Sequence, residues 1–213
     1  MTKRAFDIVM AASGLLLAAP VLLLAAVAIQ MDSRGPVFYR AVRAGLHGRP
    51  FRMFKFRTMV ANADRIGGSS TADGDPRVTH VGRFLRKHKL DELPQLFNVI
   101  TGDMSLVGPR PEVFEYVNMF TEEEREILSV RPGITDWATL WNPDEGRVLA
   151  GADDPDRVYL EEIRPAKIRW QLEYVRRRSF ATDLKILAQT VCAVVRPVRP
   201  RALEAVTERR QGS

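Results

Sequence analysis

The chain has 213 residues, 46% of them hydrophobic and 27% charged, with a net charge of +6. That length can bury a packed core, and the composition excludes a disordered or fibrous chain. A single cysteine, Cys192, rules out a disulfide framework, and with the scattered His47, His80 and His88 it leaves no zinc site. The basic excess points to phosphates, of a nucleotide, a nucleic acid or an anionic lipid, without choosing among them.

From Ile8 to Met31 the chain runs for 24 residues without a charge. As a straight helix that stretch would measure about 36 Å, against roughly 30 Å for a hydrocarbon core. Three arrangements compete. One is a spanning anchor. Another is a secretory signal, with Lys3 and Arg4 as its basic start and Ala26-Val27-Ala28 as a cleavage site. The third is a re-entrant helix–break–helix that dips into one leaflet and returns. Asp7 and Pro20 speak against the signal. Pro20 has no N–H and clashes with the preceding turn, so a sharp bend is expected there, leaving apolar arms of 12 and 11 residues. Both flanks are basic: Lys3 and Arg4 before, then Arg34, Arg40, Arg43 and Arg49 after. A hairpin with both ends cytoplasmic satisfies both flanks. On the residues alone, span and hairpin stand level.

Beyond the apolar stretch the pattern is that of a soluble α/β domain, helix-rich α+β, set against a membrane. Val37–Arg43 and Arg49–Met59 alternate around Gly45-Leu46-His47-Gly48 and predict a hairpin. In its second arm Phe54 and Phe56 share one face, Lys55 and Arg57 the other. Ile66–Arg77 reads as a mobile Gly/Ser/Asp-rich loop. Helices are predicted at 79–88, 91–100, 112–128, 154–178 and 182–196, with Thr121 and Glu124 forming a capping box and Pro132-Gly133 a break. The last helix carries Leu184, Ile186, Leu187, Val191, Val194 and Val195, suited to an interface or to packing on the domain. The expected division is a membrane hairpin over 1–33, a catalytic domain over 34–196 and a disordered basic tail over 197–213.

The densest chemistry lies in residues 75–112. Arg83, Arg86, Lys87 and Lys89 precede the pair Asp91-Glu92, and Arg110 follows between two prolines. In one reading Asp91 is a helix N-cap and Glu92 a first-turn acid. In the other, Asp91 is a nucleophile or metal ligand and the cations bind phosphate oxygens, which are the parts that phosphoryl transfer needs. There is no GxxxxGK[ST] and no GxGxxG.

KRAFDIVMA, AAPVLLLAAVA, GPVFYRAVRAG, FRMFKFRTM, LDELPQLFNVITGDMSLVGPRPE and RPGIT, taken together, resemble the bacterial sugar transferases. These are the small monotopic phosphoglycosyl transferases, and the likeness to their minimal catalytic form covers about residues 2 to 195. The resemblance implies transfer of a sugar 1-phosphate from a UDP-sugar to undecaprenyl phosphate, releasing UMP, at the cytoplasmic face of the bacterial inner membrane. It implies a covalent phosphosugar on Asp91, with Mg2+ held by Asp91 and with Glu92 assisting. Arg86 and Arg110 match phosphate-binding positions, and Lys55 and Arg57 match a basic pair turned toward the site. Pro20, after Ala19, matches the turn of the membrane helix and so favours the hairpin over the span. No nucleic-acid partner is expected, and a homodimer is left open.

The sequence departs from the family's pattern at several points. Ala19 replaces a Ser common before the turning proline, Asp136 begins a stretch where GWAQVNGR is familiar, and Gln171 stands for a common Asp. The latter two are read as lying away from the acidic pair and bearing on the choice of sugar. The competing class is a basic, membrane-tethered domain that binds nucleic acid or anionic lipid without catalysis.

Overall fold

The structure is a computed structural model and describes residues 2–63, 66, 71, 72, 74–150 and 152–195. Residues 67–70 and 73 of the loop expected to be mobile at Ile66–Arg77, and the basic tail from Arg196, lie outside the described residues.

Helix α1, Thr2–Asp32, is long and apolar enough to cross a membrane. It runs on through Pro20, where the sequence predicted a break. The proline removes one backbone hydrogen bond, but the turns on either side carry the helix past it. One stripe of α1 faces the rest of the chain. Ala11 joins a core of Ala41, Met53, Val99, Val107 and Ile186, while Ala25 and Ile29 join Phe56 and Leu85. Between these two contacts, Leu16 and Leu17 are exposed.

The predicted hairpin forms as β1, Phe38–Ala44, antiparallel to β2, Pro50–Phe56, with Phe38 opposite Phe56 and Tyr39 opposite Lys55. A tight turn at Leu46–Gly48 joins them, with His47 at φ 57°. Helix α2, His80–Lys87, is capped by the Thr79 hydroxyl, which accepts from the Gly82 N–H.

The helix predicted at 91–100 begins later. Lys89 turns the chain left-handed at φ 56°, Leu90–Glu92 forms a single 3-10 turn, and α3 spans Gln95–Thr101 with Pro94 at its N-cap. Asp91 therefore caps nothing. Strand β3, Ser105–Val107, runs parallel to β4, Gly133–Thr135. Gly133 approaches Gly108 so closely that a Cβ would lie 2.1 Å from the Gly108 nitrogen.

The helix predicted at 112–128 is divided into α4, Phe114–Val117, and a 3-10 segment, Glu124–Ser129. The capping box explains the division. Glu124 N–H donates to Thr121 Oγ1 at 3.2 Å and Thr121 N–H to Glu124 Oε2 at 3.0 Å, which starts a new helix rather than continuing the old one. Helices α5, Trp137–Trp141, and α6, Glu145–Leu149, follow. The predicted 154–178 helix consists of α7, Pro155–Val158, a wide π turn at Tyr159–Ile163, and α8, Arg164–Arg177. The widening precedes Pro165, which cannot donate a backbone bond and crowds the carbonyl four residues earlier. Helix α9, Phe180–Val195, buries Ile186 in the core and leaves Leu184, Val191 and Val194 exposed.

Candidate active site

Three elements converge on the acidic pair. Along β2, Phe56 is buried against Ile29 and Leu85, which turns Lys55 to the opposite face. There its Nζ lies 2.8 Å from Glu92 Oε1. Arg110, just beyond β3, grips the same carboxylate with both terminal nitrogens, Nη1 at 3.0 Å from Oε2 and Nη2 on Oε1. This is the two-pronged geometry that suits a planar guanidinium. Arg86 on α2 donates from Nε to Thr58 Oγ1 at 2.9 Å. Helix α2 can dock there because residue 82 is glycine: a Cβ would lie 2.1 Å from the Thr58 carbonyl oxygen.

The two carboxylates sit in contrasting environments. Asp91 is 7% exposed, and its Oδ1 is buried with no hydrogen-bond partner among the described residues. Burial, and then the neighbouring Glu92 charge, push its carboxyl above its ordinary value, against the pull of Lys55 and Arg86. Burial would raise Glu92 as well, but Arg110 and Lys55 override it and hold that carboxyl well below the usual range. Lys55 is pushed down by burial, with Glu92 opposing. Glu92 is thus a fixed anion that sets two cations in place, and Asp91 is a buried carboxylate with one oxygen unclaimed.

Of the residues predicted from sequence, Lys55, Glu92 and Arg110 are in direct contact. Asp91 adjoins them, and Arg86 is close enough for its charge to act on Asp91. Arg57 lies apart. It falls beyond the end of β2, and its guanidinium donates to the carbonyls of Ser33 at 2.6 Å and Arg34 at 2.7 Å. It closes off the end of α1 rather than sharing Lys55's face toward the pair. Ala19 and Pro20 lie on an exposed part of α1.

Sequence reasoning missed Thr58, and it misjudged two other positions. Asp136 and Gln171 are not remote from the site: each bonds the backbone of Arg110, Asp136 Oδ2 accepting its N–H at 3.3 Å and Gln171 Nε2 donating to its carbonyl at 3.3 Å. Their departure from the family pattern was the signal available. Among the described residues, no group of three or more His, Cys, Asp or Glu side chains gathers in a metal-binding arrangement.

A transferase built on a carboxylate pair and phosphate-seeking cations is the class that this geometry suits. The chain belongs to the bacterial sugar transferase family, whose model matches residues 1–197. It is 41% identical over 198 residues to the undecaprenyl-phosphate glucose phosphotransferase of Komagataeibacter xylinus, covering 90% of this chain and 35% of that protein. It is 39% identical to the UDP-N-acetylgalactosamine-undecaprenyl-phosphate N-acetylgalactosaminephosphotransferase of Aeromonas hydrophila, covering 91% of this chain and 43% of that one. The UDP-glucose:undecaprenyl-phosphate glucose-1-phosphate transferase of Caulobacter vibrioides is 40% identical, with coverage of 90% and 68%. The chain thus spans less than half the length of the first two of these relatives.

Proposed function

We propose that this chain transfers a sugar 1-phosphate from a UDP-sugar to undecaprenyl phosphate, releasing UMP, and that it does so through a covalent intermediate on Asp91. The observation that carries the reading is the contrast within the pair: a buried Asp91 oxygen without a partner, beside a Glu92 already locked between Lys55 and Arg110.

In the first step an Asp91 oxygen attacks the phosphorus that bears the sugar. The bond from that phosphorus to the bridging oxygen breaks, and UMP leaves with the electron pair, so Asp91 carries an acyl phosphosugar. In the second, an oxygen of undecaprenyl phosphate attacks the same phosphorus and frees the Asp91 carboxylate. Lys55, Arg86 and Arg110 offset the charge that develops on the phosphoryl oxygens. Glu92 holds two of those cations in register and so acts as a positioning group.

Mg2+ fits this arrangement in one way. Asp91 would hold it through its partnerless oxygen, since Glu92, the other carboxylate of the pair, is occupied by cations. The ion would add to the neutralisation of phosphate charge. Relatives of nearly equal identity are named for glucose and for N-acetylgalactosamine, so the donor sugar does not carry over from them.

The re-entrant reading of α1, which on this unbroken helix requires a bend rather than a break at Pro20, draws on both of its ends. Arg4 donates to the carbonyls of Val99 and Ile100, and Asp32 accepts from the Val81 N–H at 3.0 Å, so both termini of the helix are fastened to one and the same domain. A monotopic protein on the cytoplasmic face satisfies those contacts and the basic flanks together.

The test is nucleotide release from full-length protein in nanodiscs with undecaprenyl phosphate, Mg2+ and a panel of UDP-sugars. UMP should form with one sugar and vanish in Asp91→Asn. Release of UDP instead would mean direct glycosyl transfer and overturn the mechanism.

A further inference from the structure

We infer that Asp136 and Gln171 are positioning residues that clamp the backbone of Arg110 from both sides and thereby set the affinity for the donor's diphosphate. The inference rests on the transferase reading above. Arg110 lies between Pro109 and Pro111, neither of which has an N–H, so its own is the sole backbone donor of the three-residue stretch. That donor is spent on Asp136 Oδ2, 3.3 Å away, and the Arg110 carbonyl accepts from Gln171 Nε2 at 3.3 Å. The flanking backbone is held as well: Gly108 N–H donates to the Thr135 carbonyl at 3.0 Å, and Gly133 N–H to the Pro109 carbonyl at 2.9 Å. Side chains from the start of α5 and from α8 therefore meet at the one residue whose guanidinium grips Glu92.

Two features separate this clamp from ordinary packing. Both side chains are fully buried, and Gln171 Oε1 is left without a hydrogen-bond partner among the described residues. An amide buried half-satisfied is costly, and the one bond it makes here goes to the Arg110 carbonyl. Asp136 also divides its duties. Oδ1 accepts from the Thr139 N–H and hydroxyl, both at 2.7 Å, which caps α5, while Oδ2 serves Arg110 alone. A cap needs only the first oxygen. The second ties the helix to the arginine, and a guanidinium on a long side chain is preorganised only if its backbone is fixed.

Asp136→Asn keeps an oxygen for Thr139 and remains a good N-cap, but sets an amide donor against the Arg110 N–H. Gln171→Leu keeps comparable bulk and loses the donor. With the full-length protein in nanodiscs, each variant should raise the KM for the UDP-sugar, and the Kd for UDP alone, by about fivefold, with kcat falling less than KM rises. In an Arg110→Ala background Gln171→Leu should leave the Kd for UDP unchanged, because its effect passes through that side chain. A lowered melting temperature with wild-type KM and Kd would overturn the inference and reduce both residues to packing. Wild-type protein that releases no UMP would overturn the transferase reading instead, while the UDP-binding arm still reports on the placement of Arg110.

Discussion

At the scale of the residue, the adjoining carboxylates divide their work because their surroundings differ. Glu92 is an anion held by two cations, whereas Asp91 is desolvated with one oxygen unclaimed. Glu92→Gln leaves Lys55 and Arg110 facing a neutral amide. The protein without ligand should lose about 2 kcal/mol, less than for a fully buried pair because these side chains are 20–26% exposed. The freed cations should bind UDP more tightly, so the rise in melting temperature at saturating UDP should exceed that of the wild type. A smaller rise would mean that the order Glu92 imposes on the two cations outweighs the charge it cancels. The pH dependence has a definite sign. The Glu92 pKa is lowered on folding, so its stabilisation is present above the ordinary 4.5 and is lost as pH falls through the lowered value. The stability gap between wild type and Glu92→Gln should be full at neutral pH and close in acid. The residue types of this site were legible in the sequence, but their pairing was not. Lys55 lies 37 positions from Glu92 and Arg110 lies 18, and only the packed fold brings them to one carboxylate.

Elements differ in how much of themselves they declare. The β1–β2 hairpin, α2, the capping box and most of α9 follow from local periodicity and turn chemistry, and they are legible for that reason. The parallel pair Ser105–Val107 and Gly133–Thr135 is too short to show alternation, and its pairing depends on Gly108 and Gly133 meeting at a distance that only glycines allow. The acidic pair looks helical by composition, yet left-handed Lys89 and Pro94 confine it to a single 3-10 turn. Thr121→Ala removes the hydroxyl that starts the Glu124–Ser129 segment and should cost about 1 kcal/mol without altering UDP affinity. Gly82→Ala is the contrasting case. Its Cβ would strike the Thr58 carbonyl, which is backbone and cannot swing away, so α2 must back off and take Arg86 from Thr58 Oγ1. About 2 kcal/mol of stability and a large part of donor binding should go together, read by thermal unfolding and by UDP titration. If Gly82→Ala loses stability but binds UDP normally, Arg86 is no part of the phosphate site.

For the whole molecule the question is how one apolar helix is held by a domain that lies on one side of it. Near its start Asp7 is buried, accepting from Ser105 Oγ at 2.8 Å and pairing with Lys3, which also reaches Asp183 on α9. At its other end Arg57 closes the carbonyls of Ser33 and Arg34, and Asp32 accepts from α2. A transmembrane span would carry one of these ends to the far side and break its whole set of contacts, stranding buried charge. The cost falls on polar groups at both ends, so a re-entrant arrangement would not depend on Pro20 alone. Cysteine accessibility reads this out. In a Cys192→Ser background, Thr2→Cys and Arg34→Cys place single thiols at exposed positions flanking the helix and leave Lys3, Asp7 and Asp32 intact. In sealed vesicles of known orientation, a membrane-impermeant maleimide should label both positions from the cytoplasmic side and neither from the other. Labelling from opposite sides would establish a span and require the contacts of Arg4 or of Asp32 with the domain to be absent in the membrane.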